Sequence, residues 1–91
     1  MEQEKDIRNV FIQTCKSIEK NQEAISVMLS VELSKLRLVE YNLKNRNCSD
    51  EENIKLLKEI DKTINSLTMY DWILTRKMES VRELYASITG E

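Results

Sequence analysis

Asn45-Arg46-Asn47-Cys48-Ser49-Asp50-Glu51-Glu52 is the stretch on which the fold depends. Asn tolerates the left-handed conformation that ends a helix. Ser49, with Glu52 three positions later, has the form of a capping box, and acidic residues at 50, 51 and 52 favour a helix N-terminus there. A connection over 46–49 is short enough to force the flanking helices antiparallel. The stretch therefore predicts a helical hairpin, with helices over about 4–45 and about 50–88 in a single domain.

Outward from this turn, nothing breaks a helix. The chain of 91 residues has no Pro and one Gly, at position 90, so the usual means of making tight sheet turns are missing. Charged residues at 33% and aromatic residues at 5% suit long, solvated helices, while 41% hydrophobic content is too high for an ordinary disordered segment. An all-α fold follows.

The apolar residues recur with a heptad period. In the first helix Cys15, Gln22, Leu29, Leu36 and Leu43 take position a, and Phe11, Ile18, Ile25, Glu32 and Val39 take position d. In the second, Leu57, Ile64, Asp71, Met78 and Tyr85 take a, and Ile60, Leu67, Leu74, Val81 and Ile88 take d. Nine of those last ten are apolar, which marks a sustained coiled-coil-like seam. Folding at 47 or 48 sets Gln22 near Asp71, where the amide can donate to the carboxylate as a register-fixing polar layer. Otherwise Asp71 sits at the seam edge and reaches solvent or Arg76. Glu4 with Arg8, Glu40 with Lys44 and Glu51 with Lys55 are expected outer-face pairs worth about 0.2–0.5 kcal/mol each.

Leu67-Thr68-Met69-Tyr70-Asp71-Trp72-Ile73-Leu74 carries more apolar surface than one seam uses. At about 100° per residue, Leu67 and Leu74 fall on one side and Met69, Trp72 and Ile73 on the other. The run Ala24 to Val31 behaves alike, with Val27 and Val31 pointing away from Ile25 and Leu29. A helix apolar on both sides must be covered on both. Val27, Val31, Met69, Trp72 and Ile73 are therefore the expected partner interface, worth on the order of 10 kcal/mol before entropy costs. Self-association of two hairpins into a four-helix bundle, a homodimer, meets this need.

Other function classes lack their residues. With no His, neither the common nucleophile–base arrangements nor a zinc site can be assembled, and Glu32, Asp61 and Asp71 are too scattered for a carboxylate metal cluster. Arg8, Arg37, Arg46, Arg76 and Arg82 lie mostly off the apolar seams, away from any shared pocket. No catalytic residue, metal or cofactor is expected, and the chain reads as a non-enzymatic interaction or assembly module. The formal charge of −2 is spread in alternating signs, without the basic footprint of a nucleic-acid binder. The opening Met1 to Asp6 lacks the pattern of a secretory leader, and the longest apolar run is far short of the about 20 residues that span a bilayer. Cys15 and Cys48 are expected far apart and reduced, as in a cytoplasmic protein.

The segment Asn53-Ile54-Lys55-Leu56-Leu57, continuing through Ile60 to Tyr70, faintly resembles the second helix of the small helical-hairpin cochaperones of type III secretion needles. The resemblance carries no diagnostic motif. It implies a chaperone that receives a partner's amphipathic helix. A virus- or phage-encoded inhibitor belongs to the same alternative.

Overall fold

The computed structural model describes residues 2–47 and 49–90. Of these, 95% are helical and none is in a strand. Two helices, α1 (Glu2–Asn45) and α2 (Asp50–Thr89), pack against each other as an all-α helical hairpin. The fold expected from the turn is the fold found.

Local chemistry sets the reversal. The amide of Asn47 donates to the Asn42 carbonyl at 3.1 Å, the long-range bond of a Schellman closure, and Asn45 Nδ2 donates to the Tyr41 carbonyl at 2.9 Å. That closure requires the residue after the cap to be left-handed, which places Arg46, rather than either Asn, at φ 52°. Beyond the turn, the Ser49 hydroxyl accepts the Glu52 amide at 3.2 Å and so caps α2. Cys48 lies outside the described residues, so the expectation for a Cys15–Cys48 pair does too; Cys15 is a free, half-buried thiol.

The chain forms two compact units, a tip unit of Ile25–Tyr70 and a terminal unit of residues 2–24 with 71–90. In the tip unit Ile25, Glu32 and Val39 are buried at successive d positions of α1, and α2 contributes Ile60 and Asn53. Burying each large aliphatic stabilises by about 2 kcal/mol. Glu32 is the exception to that logic: its Oε1 accepts from Lys35 Nζ at 2.9 Å, so the carboxylate enters the seam with its counter-charge. Leu36 and Leu43, expected in the seam at position a, are exposed. In this part of α1 the covered stripe is narrow and centred on d, and these a positions fall at its edge.

In the terminal unit Ile18 and Met78 are buried, and the Phe11 and Tyr85 rings stack with centroids 4.1 Å apart and planes 13° from parallel. Gln22 does not meet Asp71. Its Nε2 donates to Thr75 Oγ1 at 3.2 Å, and that hydroxyl donates onward to the Asp71 carbonyl at 3.0 Å. One further turn of α2 brings a hydroxyl, satisfied at both ends, opposite the amide, and Asp71 keeps a half-buried edge position. Arg76 pairs with Glu79 at 3.8 Å instead. Of the expected outer-face pairs, Glu40–Lys44 closes at 3.1 Å, while Glu4–Arg8 and Glu51–Lys55 do not.

Candidate interaction surface

Among the described residues, seventeen large apolar side chains are exposed and five hydrophobic ones are buried, so each unit presents apolar side chains to solvent. All five residues expected at an interface are among the exposed. In the tip unit Val27 and Met69 are each 65% exposed and Val31 about half exposed. In the terminal unit Trp72 is 62% exposed and Ile73 about half.

Heptad position divides these five. Val31 and Ile73 occupy position c, beside the seam on the flank it shares with g. Val27 and Met69 occupy f, the outer edges of their helices. Trp72 occupies b, on the flank shared with e, where the Arg76 guanidinium stands 5.7 Å from the indole centroid and covers part of one face. Val27 and Val31 share the outer side of α1 in the tip unit, and Trp72 and Ile73 point about 100° apart on α2 in the terminal unit.

An apolar concavity lies elsewhere. In the terminal unit Ile7, Val10, Phe11, Val81, Leu84 and Ile88 line an open groove of about 380 Å³, with the Phe11–Tyr85 stack beneath it and the Asp6 carboxylate at its rim. Val10 and Leu84 are 63% and 61% exposed. A second set missed from sequence continues the α1 outer stripe in the tip unit: Val27 and Val31 are followed at helical spacing by Leu38 and Tyr41, both exposed. The signal for both sets was present. Ile7, Val10, Leu84 and Ile88 follow the three-and-four spacing of a helix face, but they lie away from the central stretches on which the expectation rested.

The chemistry available is apolar burial bordered by hydrogen bonding. Hydroxyls along α1, those of Ser30 and Ser34, donate to the carbonyls of Ser26 and Ser30 at 3.1 Å each, so that face can be covered without orphaning them. Among the described residues no group of three or more His, Cys, Asp or Glu is placed to hold a metal ion, and no helix is long and apolar enough to cross a membrane. No protein-family model, curated protein or solved structure matches the chain.

Proposed function

We propose that the chain is a non-enzymatic protein–protein interaction and assembly module, a helical hairpin that completes its core by pairing with a second copy in a four-helix bundle. One observation supports this reading above the others. The chain exposes 7607 Å², where a folded monomer of this mass exposes about 5,500 Å². The excess, about 2,000 Å², is surface that a two-helix hairpin leaves open for want of a further layer, and a dimer contact can cover part of it. Val27, Val31, Met69, Trp72 and Ile73 are all open to such a contact.

The test is the solution mass of the native chain, measured by light scattering after gel filtration at micromolar concentration. A discrete dimer is the expected result. A stable monomer overturns the reading.

The terminal groove favours a second reading, in which a small chaperone or inhibitor takes the amphipathic helix of another protein between α1 and α2. On that reading the chain alone forms ill-defined oligomers, and a discrete mass appears only in the heterocomplex. A cytoplasmic location, without nucleic-acid or membrane partners, belongs to the same proposal.

A further inference from the structure

The two flanks of the terminal unit differ in charge. On the flank of positions g and c stand Gln3, Ile7, Val10, Thr14, Ser17, Asn21 and Ala24 from α1 and Ile73, Lys77, Ser80, Leu84 and Ser87 from α2; Lys77 is its one charged residue. On the flank of e and b, seven of thirteen residues are charged: Glu2, Lys5, Lys16, Glu19, Glu23, Glu79 and Arg82. The apolar groove opens on the first flank, between Ile7 and Val10 of α1 and Leu84 and Ile88 of α2. A protein surface kept in water has no physical reason to concentrate its charges on one flank and its aliphatic groups on the other. Interface centres are depleted of charge in this way.

We infer that the g/c flank of the terminal unit is the face on which a second copy of this chain docks, with Val10, Leu84 and Ile88 at its centre and Trp72 outside it. The inference rests on the self-associating reading above and specifies its surface. Three considerations select a second copy as the occupant. An isologous contact sets a face against itself, so it tolerates only a face that does not repel itself, and the charges here are Lys77 and, at the groove's rim, Asp6, which are of opposite sign. Choice of a foreign helix is commonly enforced by charges along the contact, and this flank has almost none. The exposed apolar side chains of the flank supply roughly 500 Å² per copy, so two copies bury about 1,000 Å² from these side chains alone, the minimum that a biological interface must clear.

The flank excludes Trp72, the most conspicuous apolar side chain of α2. The indole is on the charged side, part-covered by Arg76.

The experiment compares Leu84→Asp and Trp72→Glu with the native chain by light scattering, with helicity followed by circular dichroism. Both side chains are largely exposed, so both variants keep their helices. Leu84→Asp weakens dimerisation at least tenfold, and Trp72→Glu leaves it within twofold. A second measurement avoids disruptive substitutions. With Cys15 and Cys48 replaced by Ala, a single thiol is introduced as Ser80→Cys on the g/c flank or Glu79→Cys on the e/b flank. Maleimide alkylation of the first slows at least tenfold at concentrations where the native chain is dimeric, and that of the second does not change. A native monomer defeats the self-association reading itself. A dimer that Leu84→Asp leaves intact, that Trp72→Glu dissociates as readily, or that protects both thiols equally overturns the flank assignment alone.

Discussion

The tip and terminal units continue the same two heptad patterns and bury them in different company. At the tip, Ile25, Val39 and Ile60 share the interior with two polar side chains, Glu32 and Asn53. Glu32 brings Lys35 with it, but Asn53 Nδ2 is buried without any hydrogen-bond partner. In the terminal unit the polar contribution is confined to the Gln22–Thr75 bond at the seam edge, and the interior is Ile18, Met78 and the Phe11–Tyr85 stack beneath an open groove. A polar group in a seam restricts which residues can sit opposite it, whereas an apolar stack accepts whatever fills the space. The comparison teaches that buried polar groups need not join the helices: at the tip Glu32 pairs within α1 and Asn53 Nδ2 with nothing, whereas in the terminal unit Gln22 reaches across to Thr75.

The largest expected effects test this division by removing core volume on each side. Ile60→Ala at the tip costs about 3 kcal/mol, as for a fully buried aliphatic. Phe11→Ala in the terminal unit costs about 2 kcal/mol, part of it the stacking with Tyr85, because the half-buried ring leaves less of a cavity. Urea unfolding at one fixed chain concentration measures both. Equal losses, or a larger loss at Phe11, would mean that the groove is already filled in solution.

Asn53 gives the next effect, of opposite sign. An orphaned buried amide costs about 1–3 kcal/mol, so Asn53→Leu, close in volume, raises stability by about 1–2 kcal/mol. A drop in the urea midpoint would show that Asn53 has a partner the seam requires.

How much of this was legible in the residues depends on which interaction decides each position. The burial of Ile18, Ile25, Val39 and Ile60 follows from a seven-residue period, because helix geometry alone puts those side chains on one line. The capped start of α2 is equally local, set by Ser49 and Glu52. Leu36 and Leu43 went the other way because periodicity fixes a direction and not the width of the covered stripe, which is narrow in this part of α1. The Gln22 partner was displaced by one turn because the hairpin register is set by the whole seam, and counting from the turn is accurate only to about one turn. The charge-poor flank could be assigned only once buried Ile18 and Met78 had placed the seam of the terminal unit between the d and a positions, since the same residues divide differently about another centre.

A smaller effect concerns what holds the tip closed. Ser49→Ala removes the hydroxyl that accepts the Glu52 amide and costs about 1 kcal/mol. The loss is confined to the tip. Hydrogen exchange of the first-turn amides of α2 therefore accelerates, while amides around Ile18 and Met78 keep their rates. Uniform acceleration through both units would show that they open together.

The smallest effect lies at Arg46, where the backbone geometry and the residue disagree. A left-handed residue with a Cβ is strained by about 1 kcal/mol, a strain Gly does not suffer. Gly also broadens the unfolded ensemble, which takes back part of the gain. Arg46→Gly therefore stabilises by about 0.5 kcal/mol, read as a small rise in the urea midpoint. The sign is informative because Arg46 also lines the open space beside Asn53, with Asn42, Leu43, Ser49 and Asp50. If the guanidinium's aliphatic stem contributes to covering Asn53, its loss outweighs the backbone relief and the midpoint falls. Repeating the substitution in the Asn53→Leu background separates the two: backbone relief persists there unchanged, while a contribution from covering the amide disappears with the amide.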